Sequence, residues 1–468
     1  MKQLILLLII GFTSLNGWGQ DITGNWNGLL KIQMYQLRLV FHIQKTESGY
    51  SATMDSPDQG AKDIPVTSVN YENAVLKIAD AKMGFDYEGK FDDEGNIAGT
   101  FKQMGQTFPL NLSRKTVEKE KLARPQEPVK PYPYYEEEVA FENSDDGVTL
   151  SGTLTLPQKE GVFPAVILIS GSGANNRDEE VLEHKPFLVI ADYLTRNGIA
   201  VLRYDDRGTA SSTGNFQTAT SYDFSKDAEA GLKYLQTRKE INPKKIGMAG
   251  HSEGGIIAPM VAARNDDVAF IISLAGSGIR GDQIILMQQE LSLQASGAGE
   301  EALKQVRIMN TDILNIVLQS TDMERLKTDL TDYFNESLKN IPESEKTKVI
   351  YDDDNFITSK VEYLANPWMQ YFIKYDPAPA LEKVKCPVLA LNGEKDLQVP
   401  AKVNLEAIKA ALEKGGNRNV TIKEIPGLNH LFQECETCLI TEYANIEQTF
   451  SPVALDEILK WIKMQTKP

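Results

Sequence analysis

Two textures of hydrophobic and polar positions divide this chain. From Gln20 to about Lys115, short apolar runs such as Leu37 to Ile43, Val75 to Ile78 and Thr107 to Leu112 are separated by turn clusters, among them Ser48-Gly49 and Asp92-Asp93-Glu94-Gly95. Runs punctuated this way predict an antiparallel β domain. After Tyr134 the apolar runs become continuous and alternate with helical patterns, as expected of parallel strands covered by helices on both faces. Such strands are predicted at Ala165 to Ile169, Ile199 to Leu202, Ile246 to Ala249, Ala269 to Leu274 and Val388 to Leu391. Between them, Phe224, Ala228, Leu232 and Leu235 share one helical face. The pattern predicts an α/β fold with a doubly wound, mostly parallel sheet. From about Ile279 to Pro367 the alternation gives way to helical, charge-rich sequence, read as a lid insertion above the sheet.

Between the two textures, Lys115 to Pro133 carries dense charge followed by Pro125, Pro128, Pro131 and Pro133, a composition expected to stay extended as a linker. At the start of the chain, Met1-Lys2-Gln3, the apolar run Leu4 to Ile10 and Gly17-Trp18-Gly19 follow the order of a secretory signal peptide, with cleavage expected after Gly19. That run is too short for a permanent bilayer anchor. The expected organisation is a signal peptide over 1–19, a β domain over 20–115, a linker over 116–133 and an α/β domain over 134–468 with its insertion at about 279–367. The expected destination is the periplasm or the exterior, in soluble form.

With 468 residues, two or three folding units are expected, and the net charge of −16 disfavours nucleic acid and anionic membrane surfaces as partners. The three cysteines are too few for a disulfide scaffold. Cys386 reads as a buried thiol. Cys435 and Cys438 have the spacing of a local disulfide, and without histidines nearby they are a weak metal pair.

Gly250-His251-Ser252-Glu253-Gly254 matches G-x-S-x-G, in which a tight turn from strand to helix exposes a serine hydroxyl above a sheet. The bare pattern arises by chance about once in six chains of this length. Here it lies between a predicted strand and a helix opening with Gly254-Gly255-Ile256-Ile257, the context a nucleophile requires. A serine needs a base, and the chain offers four histidines. His42 lies in the β domain, His251 adjoins the serine and is expected to point elsewhere, and His184 precedes the serine and is expected to be packed or at the surface. His430 alone fits the order serine, acid, histidine. The acid is then sought after the strand at Val388 to Leu391, where Asp396 is preferred over Glu394 and the more distant Asp376. An oxyanion hole needs two amide donors; those of Glu253 and, in Ser170-Gly171-Ser172-Gly173, of Ser172 are the candidates. Asp205-Asp206-Arg207-Gly208 is expected to brace the neighbouring loop through an arginine–carboxylate pair. The aromatic cluster from Trp368 to Phe372 is open to two readings, pocket wall or core.

With these residues in place, the chain resembles the α/β-hydrolase superfamily, and more closely the two-domain EstD-like carboxylesterases, with a serine aminopeptidase-like hydrolase domain. The resemblance is carried by Ser170-Gly171-Ser172-Gly173 with Asn176-Arg177-Asp178, Arg203-Tyr204-Asp205-Asp206-Arg207-Gly208, Gly250-His251-Ser252-Glu253-Gly254, Asn392-Gly393-Glu394-Lys395-Asp396 with Gln398-Val399-Pro400, and Asn429-His430-Leu431-Phe432-Gln433. Ala210-Ser211 and the Cys435/Cys438 pair depart from its pattern. The resemblance implies an acyl-serine mechanism on Ser252, Asp396 and His430, without metal or organic cofactor, acting on a small-molecule ester; short acyl chains are expected because the insertion, following the strand Ala269 to Leu274, should overhang Ser252 and limit substrate size. Peptide or amide cleavage on the same residues is the second reading, and a non-catalytic binding role for the β domain the third.

Overall fold

The computed structural model describes residues 21–32, 35–81, 83–103, 106–119, 122–339 and 354–467. The expected signal segment, 1–19, lies outside them. Two units divide between Leu122 and Ala123.

The first unit is a ten-stranded antiparallel sheet: β1 (Gly24–Ile32), β2 (Tyr35–Thr46), β3 (Gly49–Ser56), β4 (Ala61–Pro65), β5 (Ser68–Glu72), β6 (Val75–Asp80), β7 (Phe85–Phe91), β8 (Ile97–Gln103), β9 (Gln106–Pro109) and β10 (Leu112–Ser113). Its order is β4-β3-β2-β1-β10-β8-β7-β6-β5, with β9 paired to β8. One face buries Trp26, Phe41, Phe85, Tyr87 and Phe101, so alternate strand residues build the core. The run expected as one strand from Thr107 to Leu112 is two, because the chain leaves β9 at Pro109, which has no N–H to continue a ladder.

The second unit holds an eight-stranded mixed sheet, β11 (Tyr135–Asn143), β12 (Val148–Leu156), β13 (Phe163–Ile169), β14 (Ala200–Tyr204), β15 (Ile241–His251), β16 (Phe270–Leu274), β17 (Val388–Gly393) and β18 (Val420–Ile425). The order is β11-β12-β14-β13-β15-β16-β17-β18. β12 is antiparallel to both of its neighbours, and every pair from β14 to β18 is parallel. The continuous apolar runs have a direct cause. Along β13, Ala165, Ile167 and Ile169 join one apolar cluster while Val166 and Leu168 join another, so both faces are dry. The first cluster includes residues of α2 (Ser221–Gln236), α3 (Gly254–Ala262) and α10 (Ala401–Lys414); the second includes residues of α1 (Pro186–Arg196) and α11 (Pro452–Gln465).

Between β16 and β17 the chain forms α4 (Gly281–Ala295), α5 (Glu300–Gln319), α6 (Met323–Lys339), α7 (Asp354–Ala365), α8 (Pro367–Lys374) and the short α9 (Ala378–Leu381). The helices from α4 to α8 share their own core, including Leu314, Val317, Leu326, Leu330 and Ile373, whereas Leu381 of α9 joins the first cluster of the sheet. The helical stretch thus runs past Pro367, because Pro367 sits in the first turn of α8, where its missing N–H costs nothing, and Asn366 caps that helix through the Trp368 amide at 2.9 Å.

The expected linker also differs. From Ala123 onward it belongs to the second unit, with Arg124 donating to the carbonyls of Ile446 (2.8 Å) and Ala444 (2.6 Å) and Gln126 bonded to the Phe450 backbone. A proline-rich stretch makes no ladder of its own, so side chains fasten it.

Candidate active site

Ser252 stands where β15 gives way to α3, with φ at +52°. That backbone region is unfavourable for a residue with a side chain, and the Ser252 amide is held there by the Leu274 carbonyl at 2.8 Å. The flanking glycines are required by close approach. A Cβ on Gly250 would stand 1.9 Å from the Gly254 carbonyl oxygen, and one on Gly254 would stand 2.1 Å from that of Ile169. Both obstacles are backbone and cannot swing aside. Gly250→Ala is therefore expected to lower stability by about 3 kcal/mol or more, at or beyond the top of the usual overpacking range, and to abolish activity. A thermal melt matching that of the unmodified protein would refute this.

Asp396 follows β17 in a turn that buries its side chain completely. One carboxylate oxygen accepts the amides of Gln398 (2.8 Å) and Val399 (2.9 Å), and the other faces His430 Nδ1 at 2.8 Å. A carboxylate can only accept, so Nδ1 carries the ring proton and Nε2 is left with its lone pair. Glu394 is exposed and accepts the Gly427 amide, and Asp376 is exposed and accepts that of Ala378. Neither is hydrogen-bonded to His430. The loop carrying His430 follows β18 and is fixed by Asn429, whose side-chain oxygen accepts the amides of Leu431 and Gln433.

Ser252 and His430 both line a cavity of about 930 Å³, together with Ser172, His251 and Tyr443. Among the described residues, no hydrogen-bond acceptor takes the amides of Ser172 or Glu253, whereas the Gly171 amide is spent on Glu179 Oε1 at 2.6 Å. Two uncommitted donors therefore lie beside Ser252 in sequence or cavity, as an oxyanion site needs.

The remaining candidates separate. His184 is fully buried against Thr449 and the Tyr443 carbonyl, and burial pushes its pKa down to about 4, so it is a neutral packing residue. His42 bridges Asn25 and Asp55 in the first unit. The loop after β14 is braced by arginine–carboxylate pairs: Arg207 pairs with Asp227 and Asp146, and Asp205 takes a bidentate bond from Arg177. Cys435 and Cys438 are joined as a disulfide, so their thiolates are not available as ligands.

Two carboxylates have no sign in the sequence, and Trp368, open there to the readings of pocket wall or core, has a further role. Glu179 lies in a run of charged residues that reads as solvated, yet it is buried and bonded to His251 Nδ1 at 3.0 Å. The Glu253 side chain is fully buried and accepts from Ser221 Oγ (2.5 Å), Trp368 Nε1 (2.7 Å) and the Ser172 side chain. Burial outweighs these bonds, and its carboxyl is pushed up from the usual range. Trp368 is thereby both cavity wall and anchor of α8 to the turn beside Ser252, stacked on Phe372 at 5.5 Å. A tryptophan just after an N-cap gives no sequence sign of such a bond.

Residues 146–422, more than half of the chain, match the family model of the X-Pro dipeptidyl-peptidase (S15 family). Esterase EstD of Thermotoga maritima is 28% identical over 375 residues, covering 79% of this chain and 74% of that protein. Among solved structures, an esterase of Pyrococcus furiosus, Pf2001, aligns with a TM-score of 0.42 at 15% identity, over 75% of this chain and 99% of that one. Est1E of Butyrivibrio proteoclasticus with bound ferulic acid aligns with a TM-score of 0.40 at 18% identity, over 70% and 100%. The chain belongs to the X-Pro dipeptidyl-peptidase (S15) family, as a hydrolase of α/β-hydrolase type similar to Esterase EstD.

Proposed function

We propose that this protein is a carboxylic ester hydrolase in which Ser252 is the nucleophile, His430 the base and Asp396 the residue that orients it. The observation that carries this reading is that a strained serine lines the same cavity as His430, whose ring is paired with the buried Asp396 at 2.8 Å. The Ser252 hydroxyl attacks the ester carbonyl carbon as its proton passes to His430 Nε2, and the oxyanion is taken up by the amides of Ser172 and Glu253. The C–O bond then breaks, the alcohol leaves with the proton from His430, and water activated by the same histidine releases the acid from the acyl-serine. Similarity to EstD supports the ester as substrate.

The family's name offers peptide cleavage as the second reading. Against it stands the cavity wall, in which Glu179 is the one carboxylate among the described lining residues, and it is already engaged by His251 and Gly171. A peptide's charged amino terminus would find no free partner there. We further propose that the helices from α4 to α8 act as a lid over a doubly wound sheet, and that the chain is exported.

The lid supplies much of the cavity's apolar wall, including Leu293, Ile313, Leu314, Phe334 and Met369. At about 930 Å³ the space is near the upper end for small-molecule sites. We therefore extend the expectation of short acyl groups: kcat/KM should rise from acetyl through butyryl to octanoyl esters, each buried methylene contributing up to about 0.8 kcal/mol, and fall at palmitoyl. Leu314→Trp should lower the octanoyl to acetyl ratio at least tenfold. A steady decline from acetyl upward would remove the proposed acyl chamber, and greater efficiency on Xaa-Pro anilides than on any ester would replace the esterase reading with the peptidase one.

A further inference from the structure

His251 precedes the nucleophile at the end of β15, and both of its ring nitrogens meet acceptors. Nε2 lies 3.0 Å from the main-chain carbonyl oxygen of His430, which has no proton to give. Nδ1 lies 3.0 Å from Glu179 Oε1, the same oxygen that accepts the Gly171 amide at 2.6 Å. An ionised carboxylate also only accepts, so each ring nitrogen must carry a proton. Glu179 is 4% exposed and its Oε2 has no hydrogen-bond partner among the described residues, so a buried carboxylate there needs a compensating charge.

We propose that His251 is held as an imidazolium and that the His251–Glu179 pair is a strut, setting the oxyanion loop at Gly171-Ser172 against the loop that carries His430. Both are positioning residues for the ester hydrolysis inferred above, and the inference rests on that reading only for its effect on rate. One end of the strut fixes the amide next to a proposed oxyanion donor, and the other fixes the backbone of the proposed base. The two imidazole rings are 4.9 Å apart between centroids, so a small shift of one is felt by the other.

Burial alone would push the His251 pKa down, but the charge of Glu179 and the hydrogen bonds to Glu179 and the His430 carbonyl outweigh it, and the net displacement is upward. The titratable groups facing the ring are Glu179 from the loop after β13, His430 from the loop after β18 and Asp396 from the loop after β17. Its neighbour across the sheet, Leu274, and the Phe432 ring at 6.5 Å carry no charge. A group whose pKa is raised on folding contributes while protonated and loses that contribution as pH rises through the raised value. The strut therefore fails on the alkaline side of the ordinary imidazole range, as pH rises through the raised value.

Glu179→Gln separates charge from hydrogen bonding, because the amide oxygen can accept from both Gly171 and His251 while the negative charge is gone. The alkaline limb of kcat should then move about one pH unit or more toward neutrality, in keeping with the loss of an adjacent opposite charge. Glu179→Ala, which also removes the acceptor, should lower kcat at least tenfold at neutral pH with KM changed less than threefold. The protonation state is read directly on the full chain labelled with ¹⁵N-histidine, since only four histidines contribute and His251→Gln assigns the signal. At pH 7 the expected spectrum has both nitrogens of His251 protonated. A neutral ring with one proton, or an alkaline limb unmoved in Glu179→Gln, would overturn the proposal. The spectrum needs no substrate, so it stands apart from the esterase reading, which fails instead if Ser252→Ala still turns over esters.

Discussion

Ser252→Ala should lower kcat for butyryl ester hydrolysis by a factor on the order of 10⁴ or more, because nucleophile, base and orienting acid act as a unit and removal of one forfeits nearly the whole advantage. KM and the melting temperature should hardly change. The hydroxyl is not part of the core, Ser252 is only partly buried, and its amide bond to Leu274 survives the substitution. Alanine must adopt the same φ of +52°, so the strain at the turn is common to both proteins. Steady-state kinetics with a thermal melt on the same preparation checks both halves. Loss of less than tenfold would mean that another group attacks the ester.

Asp396→Asn carries the second large effect, expected at about 10⁴ in kcat, against less than tenfold for Glu394→Gln. The reason lies in the donor pattern. Asp396 Oδ1 takes two amides, and Oδ2 alone faces His430 Nδ1 at 2.8 Å. In asparagine one position becomes an NH₂. The two amides at Oδ1 force the remaining oxygen to that side, so the NH₂ faces His430 and the ring must turn its lone pair inward and its proton toward Ser252, the wrong tautomer for a base. Glu394 is exposed, and its side-chain bond to the Gly427 amide braces a turn without touching the ring. Parallel kinetics on the two variants decides the matter, and the reverse ranking would move the acid to Glu394.

What could be read from the sequence follows from what a linear pattern encodes. Strands covered on both faces leave uninterrupted apolar runs, and β13 to β17 were visible for that reason. The edge strand β11 and its neighbour β12 were not identified, since an antiparallel strand with one wetter face, such as Tyr-Glu-Glu-Glu-Val-Ala-Phe-Glu-Asn in β11, leaves a weaker signal. The candidate site was legible through chain order and the scarcity of histidines, which left His430 as the residue to pair. Its supports were not. Glu179 sits in Asn175-Asn176-Arg177-Asp178-Glu179-Glu180, indistinguishable in composition from a solvated loop, and only the fold turns it under His251. The bond from Trp368 to Glu253 joins residues 115 positions apart, a separation at which local patterns are silent. The charge-and-proline segment illustrates the opposite error: composition denied it a core of its own but could not show that Arg124 and Gln126 would borrow one.

Ser252 is proposed to carry the covalent acyl group, which is checked by exposing the protein to an organophosphate until ester hydrolysis stops and mapping the adduct by peptide mass spectrometry. One phosphyl group per chain is expected, on the peptide containing Gly250-His251-Ser252-Glu253-Gly254, with activity lost in proportion to labelling. A stoichiometric adduct on any other residue, or full activity with Ser252 completely labelled, would contradict it.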